Sequence, residues 1–155
     1  MEKRKFETHK KIALVAHDNK KAELMEWALT NKAELSKHHL FATGTTGKLL
    51  EEKIDVAVTK FRSGPLGGDQ QLGAAITEDK LDILIFFWDP MSAQPHDPDI
   101  RALLRLGVVW NIPIASNKSS ADFLITSPLM QEEYEISLPD YTNYTSRRTI
   151  EKDEK

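Results

Sequence analysis

The sequence predicts an α/β protein, a single-domain three-layer α/β/α arrangement around a mainly parallel, doubly wound five-stranded sheet. Three observations predict it. Five continuous apolar runs of strand length recur along the chain, which suits strands buried on both faces. Segments with an apolar stripe at helical spacing fill the gaps between them. Four unusual loops, rich in glycine, threonine, histidine and aspartate, each follow one of the runs.

The elements follow in order. The opening MEKRKFETHKK is charge-rich and is expected to be a solvated end, as are the last nine residues, RRTIEKDEK; a core of about residues 11–148 lies within a single domain spanning 1–155. IALVA (12–16) is the first strand, and HD (17–18) follows it. Lys20 to Leu35 reads as a helix, with Leu24, Trp27 and Ala28 on its apolar stripe. HLFAT (39–43) is the second strand; it leads through TGTTG (43–47) into a short helix from Thr46 to Lys53. DVAVTKF (55–61) is the third strand, followed by RSGPLGGD (62–69) and a helix from Asp69 to Asp79. DILIFFW (82–88) is the fourth; after it DPMSAQPHDPD (89–99) opens a helix from Pro98 to Trp110, with proline in the first turn. IPIAS (112–116) is the fifth strand, and SSADFLITS (119–127) starts a last helix on a serine cap, although DFLI alone also suits a strand. In an open parallel sheet the carboxyl ends of the strands share one edge, so the loops from 17 to 99 are expected to converge on one cleft.

Composition narrows the ligand. At 155 residues and 17.6 kDa the chain fits one domain with one site. The longest apolar run, LDILIFFW, is too short to span a bilayer, and the N-terminus lacks an apolar signal core, so the expectation is a cytoplasmic protein with no membrane partner. With no cysteine there is no disulfide framework or thiolate nucleophile. A net charge of −3 leaves no footprint for nucleic acid, so any anionic ligand must be held by a few placed cations and backbone N–H groups.

The loops suggest such a place. TGTTG offers the hydroxyls of Thr45 and Thr46 and the N–H groups of a helix start, which suit an anion or, equally, a capped turn. It is not a Walker A loop, because Gly44 and Gly47 enclose two residues instead of four and Leu49 follows Lys48. RSGPLGG repeats the theme with Ser63 and Gly64. Asp69, directly behind it, is either a helix cap or a base acting on something the turn holds. His96 lies on a loop stiffened by Pro95 and Pro98, where structure alone gives little reason for it; Asp97 then caps the next helix. His17 and Asp18 form a similar pair at the tip of the first strand. A metal site built from these histidines and aspartates has no recognisable local ligand spacing.

Taken together, LVAHD, FATGTTG, SGPLGGDQQLGA, DILIFFWDP, PHDPD with ALLRL, WNIPIASN and ADFLITSP closely resemble the methylglyoxal synthases, in that order, over residues 12–128. A weaker match runs through LPDY to about Arg148. The resemblance implies conversion of dihydroxyacetone phosphate to methylglyoxal and inorganic phosphate with no metal or organic cofactor, phosphate being both product and inhibitor. It implies Asp69 as catalytic acid/base, with His96 and Asp99 beside it in the catalytic set. It implies phosphate binding by Lys21, Thr45, Thr46, Ser63 and Gly64, with Thr43 and Gly44 completing the lining. His17 and His96 would contact substrate oxygens, and Asp18 would support the polar network. The family forms homohexamers in which a neighbouring subunit's arginine approaches the phosphate. Arg148 aligns with that arginine, with Arg147 as a rival, and Arg105 matches a subunit-contact position. The same fold also serves as a phosphate-binding allosteric module in carbamoyl phosphate synthetase; Asp69 and His96 beside an intact cradle favour the enzyme.

Overall fold

The structure is a computed structural model and describes residues 2–146. Its centre is a five-stranded, wholly parallel sheet in the order β4-β3-β2-β5-β6, formed by β2 (Lys11–Ala16), β3 (His39–Thr43), β4 (Val58–Phe61), β5 (Ile83–Phe87) and β6 (Ile114–Ala115). Each expected strand is present, several of them shorter than their apolar runs. The central β2 pairs Ile12 with Leu40 on one side and with Ile83 on the other. Because side chains alternate along a strand, β2 feeds two cores. Ile12, Leu14 and Ala16 pack in the layer of α1 (Lys21–Thr30), α3 (Gly44–Ile54) and α6 (Lys118–Ile125). Ala13 and Val15 pack with Leu72, Ala75 and Ile76 of α4 (Gly68–Thr77) and Ile100 and Leu103 of α5 (Asp97–Val109). Thus the three-layer expectation holds.

The ends depart from the sequence reading. Residues 3–6 form a strand, β1 (Lys3–Phe6), which pairs antiparallel with β7 (Tyr134–Ser137) in a separate ribbon. Arg4 and Phe6 face inward while Lys3 and Lys5 face out, paired with Glu135 and Glu133. The Arg4 guanidinium lies over the Phe6 ring and donates to Asp82 Oδ1 at 2.6 Å. Lys10, which has only 2% of its surface exposed, donates to the carbonyls of Glu7 and Glu132. The charges that suggested a tail are therefore partly structural. Their partners lie far along the chain, where local pattern cannot reveal them. The tail arginines Arg147 and Arg148 lie outside the described residues.

Smaller corrections concern helix limits. The expected 20–35 helix is interrupted at Asn31, whose side-chain amide bonds back to the Trp27 carbonyl, so a short α2 (Lys32–Leu35) follows α1. α3 starts at Gly44, two residues early, so TGTTG is itself the first helical turn. DFLI is helical, and its cap is Asn117, whose side chain accepts from Ser120 N–H.

Candidate active site

In this strand order the chain runs outward from β2 through β3 to β4, then returns to place β5 on the other side of β2. The switch point therefore lies between the carboxyl ends of β2 and β5, where ligands bind in open α/β sheets. A cavity of about 320 Å³ opens there. His17, Asp18, Lys21, Thr43, Thr45, Thr46, Ser63, Gly64, Asp69 and His96 line it, so the scattered loops do converge. A larger cavity of about 590 Å³ sits elsewhere, beneath Phe123, Leu129 and Tyr134, and is mainly apolar.

His17 comes directly after β2 and is held by β5. Its backbone N–H donates to the Phe87 carbonyl at 3.2 Å, and its ring Nδ1 accepts from the Asp89 N–H at 2.9 Å. Since a backbone amide can only donate, Nδ1 carries no proton and the neutral ring bears it on Nε2. Nε2 is buried without a partner. The ring stands edge-to-face against Phe86 and His96, at 5.2 and 5.9 Å between centroids. Burial first, then the neighbouring His96, hold its pKa below the usual histidine value, so His17 is a neutral N–H donor aimed at the cavity.

The first turn of α3 forms the opposite wall. Thr43 is its N-cap yet gives no side-chain cap, which leaves the first backbone N–H groups without a side-chain acceptor. Gly44 is not itself on the cavity wall; it packs against Ser63, where a Cβ would fall 3.0 Å from the Ser63 backbone, and so joins the two loops. Lys21 Nζ donates to Thr45 Oγ1 at 2.6 Å and pairs with Asp18 Oδ1 at 2.8 Å. The Asp18 side chain is 91% exposed at the rim, and Lys21 keeps its pKa low. A cation, two hydroxyls and a helix start meet at this wall, a combination suited to an anion.

Asp69 lies opposite His96. The capping alternative falls away: Gly67 is the N-cap of α4, and Asp69 sits in its first turn with no capping hydrogen bond. The residue is 4% exposed, and Oδ2 is buried without a hydrogen-bond partner, 3.6 Å from His96 Nε2. Burial raises its pKa; His96 opposes that shift and Asp99 adds to it. Gly64 separates the pair, and a Cβ there would stand 3.2 Å from both Asp69 Oδ2 and His96 Nε2. His96 Nδ1 is also buried and unpartnered. Of the four such side-chain atoms among the described residues, three belong to Asp69, His17 and His96, so the unpaired buried polar groups gather at this one cavity, where a ligand or water would pair them.

Two expected members stand apart. Asp99 faces a groove between α4 and α5 behind Asp69 and is not on the cavity wall. Asp97 does not cap α5 as expected: His96 is the N-cap, and Asp97 Oδ2 accepts from Gln94 N–H at 3.2 Å. Among the described residues no group of three or more His, Asp or Glu is placed to hold a metal ion. Sequence reasoning missed Gln94, which lines the cavity from the loop that carries His96. An amide between Ala93 and Pro95 gave no periodic signal, and only its closeness to His96 pointed that way.

Residues 23–116 match the MGS-like domain family. The methylglyoxal synthase of Vibrio cholerae is 56% identical over 146 residues, 94% of this chain and 97% of that protein. That of Saccharophagus degradans is 58% identical over 142 residues, 92% of each chain. The crystal structure of methylglyoxal synthase from Elizabethkingia anophelis NUHP1 superposes with a TM-score of 0.89 at 53% identity, covering 94% of this chain and 95% of that one. With the fold shared and more than half of the residues identical over nearly the whole length, this chain belongs to the methylglyoxal synthase family.

Proposed function

We propose that the chain is a carbon–oxygen lyase that converts dihydroxyacetone phosphate to methylglyoxal and inorganic phosphate, with Asp69 as acid/base. The observation that carries this reading is the buried, unpartnered Asp69 Oδ2, which shares a cavity with the anion cradle of α3 and with the His17 donor. The family and its relatives' names support the reaction.

The residues then divide the work. Lys21, Thr45, Thr46, Ser63 and the α3 N–H groups hold the phosphate. Asp69 takes a proton from the hydroxymethyl carbon, and its raised pKa makes it a stronger base than an exposed carboxylate. Charge moves onto the carbonyl oxygen as the enediolate forms. His17 Nε2–H stabilises it there, already oriented by Asp89 N–H and at no cost in reorganisation. His96 stands next to Asp69 and contacts the substrate oxygen carried by the reacting carbon.

Elimination follows if the cradle holds the carbon–oxygen bond to phosphate out of the enediolate plane. The hydroxyl-bearing carbon becomes the aldehyde, the double bond shifts to the next carbon pair, and phosphate leaves. The proton on Asp69 goes to the phosphate, and the hydroxyl proton ends on the central oxygen. Tautomerisation of that enol gives methylglyoxal. Atoms balance without an external oxidant or reductant. Orientation separates this course from isomerisation, which returns the proton.

The reading extends to a single domain over residues 1–155, to a cytoplasmic setting, to a homohexamer in which Arg148 of a neighbouring subunit meets the phosphate, and to inhibition by phosphate. Incubating purified protein with dihydroxyacetone phosphate and trapping the dicarbonyl, with and without EDTA, tests it. Equal amounts of dicarbonyl and phosphate in both samples are expected. Phosphate without dicarbonyl, or activity abolished by EDTA, would overturn it in favour of a metal-dependent phosphatase.

A further inference from the structure

The groups above account for the substrate's phosphate, its carbonyl oxygen and the carbon-bound proton, and give its free hydroxyl at most one partner, His96. Sheet order says where that hydroxyl lies. The cradle stands at the ends of β3 and β4, His17 at the end of β2, and the His96 loop at the end of β5, so the phosphate side and the β5 side bracket His17. Neighbouring strands are about 4.8 Å apart, so β3 and β5 ends are separated by about 10 Å. A three-carbon substrate anchored by phosphate near β3, with its carbonyl at His17, puts its hydroxyl against the β5 loop.

On that loop the cavity is lined by His96 and Gln94. His96 Nε2 is turned toward Asp69, on the carbon that loses the proton. Gln94 remains. Its backbone is pinned by the Asp97 carboxylate, and Nε2 makes one long bond, 3.3 Å, to Ser92 Oγ. Oε1 has no hydrogen-bond partner among the described residues. A primary amide carries both an acceptor and donors, so it can satisfy both halves of an alcohol.

We infer that Gln94 is a specificity-determining residue: its side-chain amide binds the substrate's free hydroxyl and so selects a hydroxyketone phosphate over the same ketone phosphate without the hydroxyl. This rests on the proposed substrate. A polar site built to hydrogen-bond a hydroxyl discriminates strongly against the analogue lacking it, because the site's own polar group is then left unpaired.

The test compares two ligands, dihydroxyacetone phosphate and hydroxyacetone phosphate, the latter differing only by the missing hydroxyl. Their affinities are measured by calorimetry in wild type and in Gln94→Leu, each also carrying Asp69→Asn so that turnover does not interfere. Gln94→Met, which keeps the side-chain length, serves as the second variant. Expected is a loss of about tenfold or more for dihydroxyacetone phosphate in both Gln94 variants, with affinity for the analogue changed less than twofold. Equal losses for both ligands, or no loss for either, would overturn the assignment; equal losses would mean Gln94 only shapes the loop. If wild type makes no methylglyoxal, the proposed reaction fails by itself. The paired affinities still decide the hydroxyl contact.

Discussion

Asp69→Asn is the substitution with the most to say, because the same burial that makes Asp69 a base also makes it a burden on the fold. The carboxylate is 4% exposed, and its Oδ2 lacks a hydrogen bond. Its pKa in the fold is raised above the ordinary 3.8, chiefly by burial. For such a group the favourable contribution is complete below the unfolded pKa and is lost as pH rises through the folded one. Above its raised pKa the ionised, buried group therefore costs stability. A neutral amide of the same shape removes the cost of burying the charge and should stabilise the fold there by about 1–3 kcal/mol. For a domain of this size that is a rise in Tm of roughly 2–4 °C per kcal/mol. The difference should shrink on acidification, as wild-type Asp69 takes up its own proton. Turnover should fall by about 10²–10⁴ or more, since an acid/base contact is lost at both proton abstraction and phosphate departure. Calorimetric melting from pH 4 to 8, with dicarbonyl formation measured at pH 7, reads both halves. A variant that melts lower than wild type at pH 7 would refute the burial argument. Turnover near wild type would refute the role of Asp69.

Three other outcomes follow from particular contacts. Gly64→Ala puts a methyl group 3.2 Å from both Asp69 Oδ2 and His96 Nε2, and the shift of a few tenths of an ångström that this forces should lower kcat/KM by about tenfold; activity within threefold of wild type would show the gap has room to spare. Nitrogen NMR of the His17 ring at pH 7 should show the neutral tautomer protonated on Nε2, and a doubly protonated ring or an Nδ1 proton would remove it as the carbonyl donor. Arg4→Ala leaves Asp82 buried without its cation and should cost about 3–5 kcal/mol in urea unfolding; a loss below 1 kcal/mol would mean that the β1 ribbon is the solvated end its charges suggested.

The sequence made the main sheet and the cavity legible because both depend on local signals. Apolar runs such as IALVA and DILIFFW suit strands buried on two faces, and in a parallel sheet the polar loops then share one edge. The site residues from His17 to His96 were found through those loops and the motif set, and the structure brings nearly all of them to one cavity. What stayed hidden depends on distant partners. β1 is recognisable only beside β7, some 130 residues away, and Lys10 looks like a surface cation until the carbonyls of Glu7 and Glu132 close over it. Asp69 shows the limit from the other side. Its neighbourhood in sequence favours a helix cap, and only the geometry of Gly67 assigns the cap elsewhere and leaves the carboxylate free.

The central claim is that Asp69 removes a carbon-bound proton and that phosphate then leaves from an enediolate. Running the reaction in deuterium oxide and reading the product early by proton NMR tests this most directly. The account predicts methylglyoxal with one deuterium in its methyl group, gained as the enol tautomerises, and with protium retained on the aldehyde carbon. It also predicts no such product from Asp69→Asn on the same timescale. Methylglyoxal with a fully protiated methyl group, or dihydroxyacetone phosphate converted to deuterated glyceraldehyde phosphate with phosphate still attached, would contradict it.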